Sequence, residues 1–215
     1  MVETVPKFRR APAEHRKEAL IAATLSIIAE HGVRAATVRA IARRAEVTPG
    51  LIRHHFSSKE DLITAAYEHH MRRMTDLSAA PCVGVHASCR ARLAAFVEAS
   101  LRPPVVDPGS VSLWAGFLNT VRQDTRMQAI HEETYRDFRD RLEALIADAL
   151  REAGVAVTSS RLRRLAIACN AVIDGLWMEG GALPGAFAPG ELAAIGLESV
   201  AGIIGLSLKE AESRT

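Results

Sequence analysis

Thr37-Val38-Arg39-Ala40-Ile41-Ala42-Arg43-Arg44-Ala45-Glu46-Val47-Thr48-Pro49-Gly50-Leu51-Ile52-Arg53-His54-His55-Phe56-Ser57-Ser58-Lys59-Glu60-Asp61-Leu62 decides the fold: it holds two short helices, a tight turn and the start of a third helix. Val38, Ile41, Ala42 and Ala45 recur at i, i+3, i+4 and i+7, so the first short helix has one apolar face, while Arg39, Arg43 and Arg44 point elsewhere. Thr37 stands where an N-cap belongs. After the turn at Glu46-Val47, Thr48 is placed to cap a second helix, with Pro49 at its first position, where a missing N–H costs nothing. Ile52 and Phe56, one turn apart, anchor that helix inward. Its outer face carries Pro49, Gly50, Arg53 and His54, with Leu51 and His55 on the flanks, and Gly50 lets a partner approach the backbone closely. The layout is that of a helix-turn-helix DNA reader.

Outward from this stretch, Leu20-Ile21-Ala22-Ala23-Thr24-Leu25-Ser26-Ile27-Ile28-Ala29-Glu30-His31-Gly32 has the form of a first helix and its glycine stop. From Leu20 to Ile63 the sequence resembles the TetR family of bacterial repressors. The resemblance implies that the helix from Thr48 to Phe56 lies in the major groove. It also implies that Ser58-Lys59-Glu60-Asp61 opens a long connecting helix whose first turn touches phosphate. Two positions depart from the family pattern. Glu46 replaces the usual turn glycine; if the turn needs a left-handed residue there, Glu costs roughly 1–2 kcal/mol. Arg53 replaces a frequent tyrosine, and its contact is either to a base or to a phosphate. The expected DNA-contacting set is Thr37, Arg39, Thr48, Pro49, Gly50, Leu51, Arg53, His54, His55 and Lys59.

The charge distribution agrees. Met1 to Glu60 holds 11 Lys and Arg against 6 Asp and Glu, whereas the remainder holds 16 against 19, so a net charge of +2 conceals a polyanion-binding N-terminal part. Lys7, Arg9, Arg10, Arg16 and Lys17 form a basic lead-in that is either an arm near a groove or a solvated tail. Met1 to Pro12 is polar and basic, without the apolar core of a signal peptide, and Asp174 and Glu198 interrupt the longest apolar stretches short of the ~18 residues of a spanning helix. The expectation is a cytoplasmic protein without a membrane partner. Cys82, Cys89 and Cys169 have neither zinc spacing nor an even count, and the pairs His54-His55 and His69-His70 lack completing ligands, so no metal and no cofactor is expected. The hydrolase elbow, phosphate loop, zincin and dinucleotide patterns are missing, so no catalytic residue is assigned.

With 5% aromatic residues and periodic Ala and Leu, the chain reads as all-α: an N-terminal three-helix DNA-binding domain at 1–60 and a C-terminal helical effector-binding and dimerisation domain at 61–215. Beyond the reader, helices are expected from Ser58, from about Ser88 to Leu101, and from Asp107-Pro108, the last bending near Asp124 into a long amphipathic helix that ends at Ala153-Gly154. The last two helices carry little charge. Apolar residues face every direction between Leu165 and Ile173, and Gly196, Gly202 and Gly205 interrupt a final helix rich in Ile, Leu and Val. Each interior glycine costs ~1 kcal/mol of helix propensity, which close helix approach offsets. These two helices are therefore expected to form a four-helix homodimer interface, the usual dimer of the TetR family, and a two-fold dimer meets a palindromic duplex.

Val172-Ile173-Asp174-Gly175-Leu176-Trp177 is similar to the corresponding helix of the choline-responsive betaine-pathway repressors, a branch of the same family. Trp114, Phe117, Tyr135 and Trp177 are either core or the lining of one cavity whose aromatic faces suit a cation. With Asn119 and Asn170 they form the expected effector-binding set. Asp174 either adds polarity there or bridges the dimer contact. The expected function is a ligand-controlled repressor, and the alternative is an architectural DNA-binding dimer without an effector.

Overall fold

The computed structural model describes residues 13–208, and every regular element among them is helical. The basic residues Lys7, Arg9 and Arg10 lie outside the described residues. The chain divides into two compact units, 1–67 and 68–215, with the division inside a helix.

In the first unit, α1 (Ala13–His31) stops at Gly32, whose φ of 78° is open to glycine, and a short 3-10 turn, Val33–Ala35, leads to α2 (Val38–Arg44). Thr37 caps α2 by accepting the Ala40 N–H at 3.2 Å. Helix α3 (Pro49–His55) follows the turn at Glu46-Val47. Leu20, Ile28, Ile41, Ala42, Ile52 and Phe56 close the core of this unit. Arg44 on α2 grips the Glu30 carboxylate of α1 with two hydrogen bonds, of 2.7 and 2.8 Å, and also donates to Ser26 Oγ. These bonds hold the Glu30 carboxyl at about 2. Arg44 is thereby committed to the fold. Helix α4 (Lys59–Ala79) begins where Ser58 Oγ accepts the Asp61 N–H at 3.0 Å, and it contains the division between the units.

The second unit contains the C-terminal half of α4 and α5 (Cys89–Ser100), α6 (Pro108–Val121), α7 (Thr125–Glu152), α8 (Ser159–Ala182) and α9 (Glu191–Ile204). Helices α5 to α8 start on side-chain caps: Ser88 accepts from Ala91, Asp107 from Ser110, Asp124 from Arg126 and Met127, and Thr158 from Arg161. The core joins Leu93, Phe96 and Val97 of α5 to Leu142, Ile146 and Leu150 of α7, Cys169 and Ile173 of α8, and Val200 and Ile204 of α9. Arg72 on α4 bonds Glu133 on α7 at 2.8 Å, and Arg141 on α7 bonds Asp76 on α4 at 3.2 Å.

The glycines of the last helix have separate roles. At Gly196 a Cβ would lie 2.1 Å from Leu101 Cδ1, so this glycine seats α9 against the end of α5. Gly205, expected inside the helix, instead terminates it at φ 71°, with its N–H and that of Leu206 both bonded to the Ala201 carbonyl. At Gly202 a Cβ would meet nothing within 4 Å. Among the described residues no helix is long and apolar enough to cross a membrane.

Candidate nucleic-acid interface and ligand cavity

The outer face of α3 is built by a short helix with one anchored side. Ile52 and Phe56 are buried, Pro49, Gly50, Arg53 and His54 are exposed, and Leu51 and His55 are half-buried. Thr48 sits at the N-cap but its hydroxyl makes no capping bond; Pro49 has no N–H, and the Leu51 N–H donates to the Thr48 carbonyl at 3.0 Å. A Cβ at Gly50 would come no nearer than 4.0 Å to any neighbour, and the chain's own packing gives no reason for a glycine there. His54 and His55 meet edge to face at 5.1 Å, and His55 Nε2 is shut from solvent without a partner. Thr37 and Arg39, exposed at the start of α2, and Lys59, at the start of α4 and 3.4 Å from Glu60, complete the set expected from the sequence. Glu46 has φ 55°, so the turn does take the left-handed conformation whose need the sequence left open.

In the second unit a partly open cavity of about 80 Å³ lies between α4, α6, α7 and α8. It brings together Trp114, Tyr135, Asn170 and Trp177. Two further residues expected in its lining are elsewhere. Phe117 faces the core with no exposed surface, while Asn119 is exposed on the opposite side of α6, where its Oδ1 accepts from Gln123 at 3.5 Å. A rotation of about 100° per residue separates them from Trp114.

Asp174 belongs to this cavity, not to an outer face of α8: its Oδ2 accepts the Tyr135 hydroxyl at 3.1 Å and Asn170 Nδ2 at 2.8 Å. Burial pushes its carboxyl up from the ordinary range, against the opposing pull of those two donors. The two indole rings meet edge to face at 5.9 Å, and Trp177 Nε1 donates to the Val105 carbonyl at 2.9 Å.

His70, on α4, is a cavity residue outside the effector-binding set expected from the sequence. It is 4% exposed and its Nε2 has no hydrogen-bond partner. Burial pushes its imidazole down to about 4, although a bond with the Ser110 backbone favours the charged ring. Met71, Met74, Thr75 and Ser78 extend the same wall. The available sequence signal was the spacing of His70, three residues after Tyr67 and four before Met74 on one stripe; Thr75 and Ser78 are also buried, and their hydroxyls donate to the Met71 and Met74 carbonyls one turn back. Among the described residues no group of His, Cys, Asp and Glu could hold a metal ion.

Residues 20–66, which contain the α2-turn-α3 unit, match the model of bacterial regulatory proteins of the tetR family, and residues 89–205, which span more than half of the chain, match the C-terminal domain of BetI-type transcriptional repressors. The chain belongs to the TetR family. This TetR-family regulator is 30% identical to the HTH-type transcriptional regulator BetI of Burkholderia thailandensis over 81% of its own length and 86% of that protein's. A transcriptional regulator from Pseudomonas aeruginosa PAO1, solved by crystallography, shares 32% identity with a TM-score of 0.82, covering 93% of this chain and 95% of that one. A Saccharomonospora viridis regulator crystallised with choline shares the fold at 18% identity and a TM-score of 0.71, over 86% of this chain and 95% of that one. The TetR-family chain is thus a DNA-binding transcriptional regulator and not an enzyme.

Proposed function

We propose that this regulator represses transcription as a homodimer on a palindromic operator and leaves it when a small molecule occupies the cavity of the second unit. In this reading the reader extends to residue 60, the effector-binding and dimerisation part starts at residue 61, and the protein works in the cytoplasm. The observation that carries the proposal is the cavity itself: aromatic walls surround a largely enclosed carboxylate, Asp174, in a body that a purely architectural dimer would fill with packed side chains. The choline found in the Saccharomonospora viridis regulator supports a body of this fold that takes a small molecule.

Dimerisation through α8 and α9 is supported by their apolar exposure. Ile167, Met178 and Ile195 are each more than a third exposed, and the open space at Gly202 adds a site where a second backbone can approach. Coupling runs through α4, one helix that holds Lys59 in its first turn and cavity residues in its later turns. Coupling of this kind is typically 1–3 kcal/mol, a ~5–150-fold loss of operator affinity, and is reciprocal.

The test starts with a duplex selected by the protein from a random-sequence pool. Half-site centres are expected ~34–36 Å or a multiple apart. Moving one half-site by half a helical turn abolishes tight binding if the reader is two-fold; unchanged affinity removes the dimeric reading. A metabolite screen then has to yield a compound that both raises thermal stability and lowers operator affinity, and a screen without one leaves the architectural alternative.

A further inference from the structure

The hydrogen-bonding capacity of the cavity is lopsided. Its donors are already engaged within the protein: Tyr135 Oη and Asn170 Nδ2 both donate to Asp174, and Trp177 Nε1 donates to Val105. The hydroxyls of Thr75, Ser78, Ser100 and Thr134 each donate to a carbonyl one turn earlier on their own helix.

The acceptors, by contrast, remain open. Asn170 is 9% exposed, and the bond from its Nδ2 to Asp174 fixes the amide orientation, which leaves Oδ1 as the atom without a partner. His70 is more deeply buried, and a ring bond to the Ser110 backbone that favours the protonated imidazole must be one in which the ring donates to a carbonyl. Since Nε2 has no partner, Nδ1 makes that bond and Nε2 presents a lone pair. The Asp174 carboxylate, bonded to Asn170 Nδ2 at 2.8 Å, supplies negative charge to the same cavity from α8, across from His70 on α4.

We propose that the effector is a small protonated primary or secondary amine, whose N–H groups satisfy Asn170 Oδ1, His70 Nε2 and the Asp174 carboxylate, and not a fully N-methylated cation. This rests on the reading of the cavity as the effector site. A quaternary ammonium has charge for Asp174 and a soft surface for Trp114 and Trp177, but no hydrogen to donate, so it leaves two buried acceptors unpaired. A primary ammonium keeps the charge and the aromatic contact and adds three donors. About 80 Å³ gives room for roughly five water-sized groups, which fits an amine with a short apolar tail against Met71, Met74 and Ile173.

The experiment is calorimetric titration of the full-length wild-type chain, at neutral pH, with n-butylammonium and its N-methyl, N,N-dimethyl and N,N,N-trimethyl derivatives. All four have the same charge and the same tail. Affinity is expected to fall along the series, by roughly tenfold for each satisfied acceptor that loses its donor. In His70→Phe and in Asn170→Leu, each verified as folded by circular dichroism, the gap between the primary and trimethyl compounds is expected to shrink about tenfold. Equal or tighter binding of the trimethyl compound overturns the inference, as does failure of all four to bind at millimolar concentration; so does a gap that persists undiminished in both variants, which is size exclusion by a cavity of about 80 Å³. Operator affinity is measured separately in the same samples. The expected order of binding without any change in operator affinity upholds the amine inference and instead removes the proposal that the cavity controls DNA release.

Discussion

Two residues show how an isolated departure from the ordinary leads to a measurable consequence. Glu46 is the non-glycine residue with positive φ among those described, and an L side chain in that conformation costs about 1–2 kcal/mol. Glycine removes that cost but adds unfolded-state entropy of about 0.4–1 kcal/mol. Glu46→Gly is therefore expected to raise stability by up to about 1 kcal/mol, read as a higher thermal midpoint. A lower midpoint would mean that the Glu46 side chain makes a contact worth more than the strain. His70 is the second case. Its imidazole, held down to about 4 by burial, stays neutral in the folded chain while the unfolded chain takes up a proton near 6.5. Protonation thus favours the unfolded state, so this contribution is complete above about pH 6.5 and is lost as pH falls toward 4, a difference of order 3 kcal/mol. His70→Gln is expected to flatten that part of the stability–pH curve relative to wild type, as measured by urea denaturation. Parallel curves for the two proteins would show that His70 is not the group responsible.

At the scale of single helices, position assigns roles. Lys59, in the first turn of α4, is expected to contact phosphate, and Lys59→Ala to weaken binding to all sequences alike and reduce the slope of log affinity against log salt by ~1. Arg53→Ala and Leu51→Ala, on α3, are expected instead to change which sequence is selected, Leu51 through a thymine methyl group. A Lys59→Ala protein with altered sequence preference and an unchanged salt slope would reverse the two assignments. On α9, Gly202→Ala places a methyl group in space that this chain leaves empty. In an isolated chain it adds up to about 1 kcal/mol of helix stability, whereas against a closely packed second copy it costs about 1–3 kcal/mol of association. The expected result is a raised dimer dissociation constant in sedimentation equilibrium, and an unchanged constant with a higher thermal midpoint would take α9 out of the interface.

The whole molecule depends on contacts across long stretches of sequence, and this sets what could be read beforehand. The α2-turn-α3 unit, the Thr37 cap and the helix boundaries at Ser88, Asp107 and Asp124 were legible because each is decided within about a turn of chain, whereas the Thr158 cap that starts α8 was not read. The cavity joins His70, Trp114, Tyr135 and Asn170, from four helices, and the rotation of α6 sends Trp114 inward while Asn119 stays outside. Periodicity told apolar faces from polar ones but not which of two apolar faces borders a void, and so Phe117 was drawn into the lining. With effector in hand, Trp114→Ala is expected to bring the ratio of operator affinities without and with effector toward one. An undiminished ratio would move the binding site away from the cavity.

The pairing of Trp114 with Trp177 provides a built-in optical reporter. The chain has two tryptophans, and both border the cavity, one of them bonded through its indole nitrogen to Val105. Light absorbed by indole is therefore emitted only from the neighbourhood of the proposed effector. Quenching or a wavelength shift on adding a compound reports occupancy there without a label, and it does so on DNA-free protein, so ligand uptake can be timed separately from operator release.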